Sequence, residues 1–370
     1  MNLPQQSRQI GSRSSSLARI LIVRTGAMGD ILHGMPAVAA LRNALPDCEI
    51  GWAVEPHWSP LLRSGSGTVR SSSMPLVDRI HAVPTREWKR WPFSIRTLRE
   101  VAHLGGDLRA AQYDVCVDLQ GSIRSAFIGW ISSSRRRVGA RRPRERQARV
   151  LYTERVDLNS VHVIAQACEL VATAANLAHL NPVAPVFPVD ASAEAWWDET
   201  LRTLRLTSGF VLLAPGAGWG AKRWPTACFA RLGQQLREQG LDVLANASSD
   251  QAVDAELAAA GVVTVQSSLA QLMALVRRSA LVIGGDTGPV HLAAAMGRPV
   301  VALFGPTDPA RTGPEFPGAR TTVLRHPESA EDHHRHAATE AGLSKVPVSD
   351  VLRAALTMLA GHPHQEPVHG

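Results

Sequence analysis

Arg19-Ile-Leu-Ile-Val-Arg-Thr-Gly-Ala-Met-Gly-Asp-Ile-Leu-His33 is the stretch from which the fold is read. Four apolar residues, Ile20 to Val23, predict a buried strand, and Gly26 and Gly29 allow a tight turn with close backbone approach. An apolar helical pattern near Leu32–Ala44 follows. Strand, loop and helix in this order open a βαβ unit, so a parallel sheet is expected. Asp30 stands where the helix begins. It reads equally as an N-cap or as a general base at the cleft end of the first strand. The loop has no third glycine at dinucleotide spacing and no Gly-Lys-Ser/Thr, which disfavours a nicotinamide site and a P-loop.

The same alternation continues outward. In the first half, strands are expected at Arg19–Arg24, Ile50–Glu55, Asp78–Pro84 and Tyr113–Leu119, with helices near Ile95–Ala111 and Val161–Ala175. Asn181-Pro-Val-Ala-Pro-Val-Phe-Pro188 then breaks the pattern, because proline can neither continue a helix nor sit in a central strand. Beyond it come strands at Phe210–Ala214, Leu241–Ala245, Val262–Val265, Leu281–Ile283 and Val300–Phe304, and a helix from about Pro225. The fold class is therefore α/β, with two Rossmann-like doubly wound domains facing a cleft. The expected boundaries are a disordered tail over 1–17, an N-terminal acceptor-binding domain over 18–185 and a C-terminal nucleotide-sugar-binding domain over 186–370. Ligands of such sheets bind at the carboxyl ends of strands, so the loops there should carry the chemistry.

Composition agrees with a large core: 370 residues, 45% hydrophobic and 19% charged, which excludes a disordered, collagen-like or disulfide-stapled chain. The four cysteines form no Cys-x-x-Cys pair, so reduced thiols in a cytoplasmic protein are expected. No apolar run is long enough to span a bilayer. The net charge of +7 is uneven. Residues 1–190 hold 24 basic and 15 acidic side chains, and Arg135 to Arg155 alone contains nine arginines and two glutamates. An anionic partner is thus sought on the first domain.

Two loops of the second half suit phosphate. Ala214-Pro-Gly-Ala-Gly-Trp-Gly-Ala-Lys-Arg-Trp-Pro225 offers three glycines, a helix start and Lys222, one of only three lysines against 36 arginines. Ile283-Gly-Gly-Asp-Thr-Gly-Pro-Val-His291 runs from a strand into a helix over Pro289–Met296, its Gly-Gly pair reading as a tight turn. There Thr287 and the amides of Thr287 and Gly288 can bind an anion. Asp286 can cap the helix and His291 can be a satisfied core residue.

These three loops, in this order, closely resemble those of the lipopolysaccharide heptosyltransferases, glycosyltransferase family nine, most like the branch that adds the first heptose. The resemblance runs from about Arg19 to Ala360 and implies the B-type two-domain glycosyltransferase fold (GT-B). It implies that Asp30 is the catalytic base. It also implies donor contacts from Met28, Gly29, Gly218, Lys222, Asp286, Thr287, Gly288 and His291. The family's ribose-binding glutamate is replaced here by Ala247-Ser-Ser-Asp-Gln251, where Asp250 can substitute with shorter reach. Thr85-Arg-Glu-Trp-Lys-Arg-Trp91 resembles an acceptor segment of the same branch, which points to Arg86, Lys89 and Arg90. Arg144-Glu145 resembles another, with Pro143 in place of an alanine, and Arg124 joins this acceptor set. A solvated basic face is the alternative for each.

The implied reaction is inverting, metal-independent transfer of heptose from ADP-L-glycero-D-manno-heptose to Kdo of lipid A. No cofactor is expected beyond that substrate, and no metal site, since His333-His334-x-His336 lacks a ligand array. The expected partners are the donor, the Kdo-lipid A acceptor and the cytoplasmic face of the inner membrane. Competing readings are transfer of the second heptose or another sugar, a nucleotide-sugar epimerase of the same fold, a noncatalytic sugar-nucleotide module, and a nucleic-acid-binding protein. No nucleic-acid module supports the last.

Overall fold

A computed structural model describes residues 18–65, 70–206, 209–248, 250–330 and 339–360. The N-terminal tail over 1–17 and the histidines His333, His334 and His336 lie outside the described residues.

The first sheet contains β1 (Arg19–Val23), β2 (Glu49–Val54), β3 (Arg79–Ala82), β4 (Val115–Asp118), β5 (Arg136–Ala140) and β6 (Glu154–Val156). The second contains β7 (Val211–Ala214), β8 (Val243–Asn246), β9 (Val263–Val265), β10 (Leu281–Gly285), β11 (Val300–Phe304) and β12 (Thr321–Arg325). Their orders are β3-β2-β1-β4-β5-β6 and β12-β11-β10-β7-β8-β9, the same doubly wound order in both. Every strand pair is parallel. The order reverses between β1 and β4 and between β7 and β10, so each sheet opens a crevice at those strand ends.

The first domain carries α1 (Met28–Ala44), α2 (Thr85–Arg90), α3 (Ile95–Ala110), α4 (Ile123–Ile131) and α5 (Val163–Ala174). After a stretch without helix or strand come α6 (Ala191–Leu204), α7 (Thr226–Glu238), α8 (Gln251–Ala259), α9 (Leu269–Arg278), α10 (Gly288–Ala295), α11 (Pro309–Thr312), α12 (Ala341–Ser344) and α13 (Val348–Ala360). Strand β1 is buried on both faces: Ile20 and Ile22 join the core under α1 and α5, while Leu21 and Val23 face Leu104, Leu108 and Ile128 of α3 and α4. That explains its unbroken apolar run, since side chains alternate faces and both are covered. The core under α1 continues without interruption to Val290 and Leu292 of α10 and to Phe304 of β11.

Three expectations are corrected here. Helix α1 begins at Met28, before the expected Leu32, so Asp30 occupies its first turn. Gly284 and Gly285 form no turn; they are strand residues of β10. A Cβ at Gly284 would lie 2.8 Å from the Ala214 carbonyl oxygen, and one at Gly285 would lie 2.5 Å from that of Lys222. Glycine is needed there for close backbone approach. The arginine stretch, for which no strand is expected from its sequence, builds β5 and β6. Arg136 pairs with Glu154 at 2.8 Å and donates to the Thr173 and Ala174 carbonyls at 3.0 and 2.9 Å, neutralising the end of α5. Arg137, Arg141 and Arg155 are likewise bonded internally. Arg135, Arg142, Arg144, Arg146 and Arg149 remain exposed.

The first sheet also depends on a close fit at its centre. A Cβ at Gly51 of β2 would overlap the hydroxyl of buried Tyr113, which is held 2.7 Å from His81. Gly51→Ala should therefore lower stability by about 1–3 kcal/mol through overpacking. Urea denaturation checks this, and an unchanged midpoint would contradict the fit.

Candidate active site

The first wall of the site is built at the switch point of the first sheet. Asp30 Oδ2 accepts the Ala27 amide at 3.0 Å, and Oδ1 pairs with Arg24 Nη2 at 2.8 Å. An acid in the first turn of α1 also complements the helix dipole. The side chain is nonetheless 41% exposed. A carboxylate offers about four lone-pair sites, so two remain for a substrate hydroxyl. The expected N-cap role is corrected: Ala27 holds the N-cap position, and Asp30 reaches back to its amide from the third helical residue, a bond compatible with a base role.

Arg24 is fixed in turn. Its Nη1 donates to the Leu119 carbonyl beyond β4, and its own carbonyl accepts Trp52 Nε1 at 3.1 Å. Beside it, the Thr25 amide and hydroxyl both donate to Gln120 Oε1 at 2.8 Å. The Gln120 turn hangs on buried Asp118, whose Oδ1 accepts the Gln120 and Gly121 amides at 2.8 and 3.0 Å. Its Oδ2 accepts the Ser125 and Tyr152 hydroxyls at 2.8 and 2.6 Å. Burial raises the Asp118 pKa, only partly offset by these donors. Sequence reasoning missed Arg24, Asp118 and Gln120. The faint signal was Asp118-Leu-Gln-Gly121 at a strand end.

The second wall is at the switch point of the other sheet. Asp286, at the end of β10, is 6% exposed. It does not cap α10. Its Oδ1 takes His291 Nε2 at 2.7 Å, while Oδ2 takes the Thr307 hydroxyl at 2.7 Å and pairs with Lys222 Nζ. Burial alone would raise its pKa, but the His291 and Lys222 bonds and charges outweigh that and hold the carboxyl well below its ordinary range. A carboxylate only accepts, so His291 Nε2 is the protonated nitrogen. Lys222 lies over the Trp219 ring at 5.4 Å and is 17% exposed. Thr287 precedes α10 without a side-chain cap bond, and its buried Oγ1 has no partner.

The walls meet through their helix starts. A Cβ at Gly288 would lie 2.5 Å from Met28 Sδ, and one at Gly29 would lie 3.3 Å from His291 Cδ2. The His291 ring stands edge-on to His33 of α1, with centroids 4.6 Å apart. Met28, Gly29, Gly288 and His291 are thus brought together, one residue from Asp30. Two positive helix ends beside a lysine make a site for an anion. Gly218 is exposed in the loop after β7, where an added Cβ would meet nothing within 4 Å. Asp250 caps α8 by accepting the Ala252 amide at 3.2 Å, and its Oδ2 lies 3.6 Å from Arg223.

The basic residues line the same strand ends of the first sheet. The Arg86 amide donates to buried Glu55 at 2.9 Å, and its guanidinium lies 6.0 Å from the Trp58 ring. Trp58, missed from sequence, packs beside Gly26 with its indole N–H unpartnered. Lys89 and Arg90 are exposed on α2. Arg124, on the first turn of α4, and Arg144 are exposed as well; the neighbouring Glu145 caps α4 by accepting the Ile123 amide at 2.9 Å.

The Asp286 network gives a signed pH dependence. Its pKa is lowered in the fold, so its contribution is complete above the unfolded value near 4 and is lost as pH falls toward the folded one. Asp286→Asn should cost stability at pH 7, with the gap to wild type narrowing below about pH 4. Denaturation midpoints across the acid range check this, and a constant gap would contradict it.

The family model described as Glycosyltransferase family 9 (heptosyltransferase) matches residues 101–341. Lipopolysaccharide heptosyltransferase 1 of Pseudomonas aeruginosa is 27% identical over 309 residues, covering 80% of this chain and 81% of its own. Lipopolysaccharide heptosyltransferase 2 of Escherichia coli K12 is 27% identical over 344 residues, 86% of this chain and 93% of its own. The solved structure titled E. coli heptosyltransferase WaaC with ADP superposes with a TM-score of 0.72 at 23% identity, covering 92% of this chain and 99% of that one. The chain belongs to glycosyltransferase family 9, the heptosyltransferases, and is a glycosyltransferase of the two-domain α/β architecture.

Proposed function

We infer that this enzyme transfers L-glycero-D-manno-heptose from its ADP donor to a Kdo hydroxyl of the lipid A inner core, in lipopolysaccharide biosynthesis. The observation that carries the reading is the Thr287 hydroxyl, buried and unpartnered at the start of α10 beside Lys222. A hydroxyl donor, a cation and a helix start together suit a diphosphate.

In the proposed step the acceptor hydroxyl gives its proton to Asp30 as its oxygen forms a bond to the anomeric carbon. The carbon–oxygen bond to the diphosphate breaks on the opposite face, and ADP leaves with the electron pair. Lys222, the Thr287 hydroxyl and the Thr287 and Gly288 amides stabilise the charge that develops on it. Asp286 keeps Lys222 and His291 in place, while Met28, Gly29 and Gly218 line the donor and Asp250 takes the ribose hydroxyls. Arg86, Lys89, Arg90, Arg124 and Arg144 face the carboxylates and phosphates of the acceptor, which guanidinium groups grip in pairs. The enzyme would work at the cytoplasmic face of the inner membrane because its acceptor is a lipid. Among the described residues no helix is long and apolar enough to cross a membrane.

Asp30→Asn should reduce transfer by roughly 10²–10⁴-fold while leaving ADP-sugar affinity nearly intact. Near-normal turnover would leave Asp30 with its structural role alone. Offering ADP-heptose with Kdo-lipid A, then with the monoheptosylated product, and weighing products by mass spectrometry tests the acceptor. Transfer confined to the second acceptor would overturn the first-heptose assignment.

A further inference from the structure

The elbow between α2 and α3 presents apolar side chains that neither the core nor the proposed chemistry uses. Trp91, Phe93, Ile95 and Leu98 are 62, 91, 68 and 57% exposed. Scattered exposed apolar residues are ordinary, but two aromatic and two aliphatic side chains within eight residues form a patch. Ile95 and Leu98 are three apart and share one face of the first turn of α3.

Cations rim this patch. Lys89 and Arg99 make no ion pair among the described residues, and Arg90 lies 5.7 Å from the Trp91 ring. The nearby acids are already engaged: Glu87 and Glu100 pair with Arg96 at 3.1 and 2.8 Å. A second copy of the chain would bring like charges together, whereas an anionic surface would complement them. Aromatic rings flanked by long cationic side chains suit the headgroup region of a bilayer, where apolar bodies sink and charged tips stay wet. In the second domain, by contrast, the large apolar side chains exposed among the described residues are valines, Val186, Val189, Val263 and Val323.

The position fits a lipid-borne substrate. Helix α2 follows β3, at the same strand ends as Asp30, and β3 lies two strands from β1. At sheet spacing that is about 10 Å. We propose that the α2–α3 elbow is a membrane-docking surface, with Trp91, Phe93, Ile95 and Leu98 entering an anionic bilayer while Lys89, Arg90 and Arg99 meet lipid phosphates. This deepens the lipid-acceptor reading and rests on it for its purpose.

The test uses the full chain and vesicles of phosphatidylethanolamine with phosphatidylglycerol, free of acceptor, beside vesicles of phosphatidylcholine. Wild type should sediment with the anionic vesicles and be released by salt. Phe93→Ser combined with Ile95→Ser, both outside the acceptor segment, should partition roughly tenfold more weakly or worse, yet transfer heptose to a deacylated, water-soluble acceptor as wild type does. Equal partitioning of variant and wild type would overturn the proposal, as would wild type that ignores anionic vesicles. Light scattering that shows a dimer broken by the variant would assign the patch to a second copy instead. Loss of transfer to the soluble acceptor by the variant would move the elbow's apolar side chains into the acceptor site and overturn the proposal. Because the vesicles carry no acceptor sugar, their result stands apart from whether the transfer reading holds.

Discussion

The buried carboxylate of Asp286 ties together three segments that the chain makes far apart: Lys222 after β7, His291 within α10, and Thr307 after β11. An isolated buried charge costs several kcal/mol, so the fold keeps this one only by supplying donors with good geometry. That requirement fixes the second wall of the site. Lys222 is held beside the start of α10, and the His291 ring is oriented by its Nε2 bond to Asp286 against Gly29 and His33 of the first domain. The two domains consequently meet where both helices begin, with an unpartnered hydroxyl, an ammonium group and free amides gathered in one place.

The first sheet solves a parallel problem with a different carboxylate. Asp118 anchors the turn after β4, and Gln120 passes that anchorage to Thr25, so the loop bearing Arg24 and Asp30 is held across the switch point. Both walls use the same device, a buried acid satisfied by loop donors at the reversal of strand order. It leaves the groups that face the cleft, Asp30 and Lys222, positioned by neighbours and not by their own flexible stems. Preorganised charge of this kind does most for a reaction whose leaving group departs as an anion.

Much of this was legible in the chain. Unbroken apolar runs ending in glycine loops identify central parallel strands, because such strands are buried on both faces. The loops at Gly26–Asp30, Ala214–Pro225 and Gly284–His291 could therefore be placed at the cleft. What escaped was non-local or at an edge. Strands β5, β6 and β12 lie toward sheet edges, where arginines and threonines replace the apolar signature. Gly284 and Gly285 looked like a turn because sequence shows a missing side chain but not the backbone that needs the space. The partnerships of Asp118 with Tyr152 and of Gln120 with Thr25 span 34 and 95 residues, and no local spacing announces them.

The central claim is that the start of α10 is built for a diphosphate, and the Thr287 hydroxyl tests it most directly. Since that hydroxyl is buried without a partner and caps nothing, Thr287→Val should leave the free protein no less stable. It should nevertheless bind ADP more weakly by a factor of about 10 or more in calorimetric titration, the cost of one hydrogen bond to a charged group. Unchanged ADP affinity in a variant that folds normally would contradict the account.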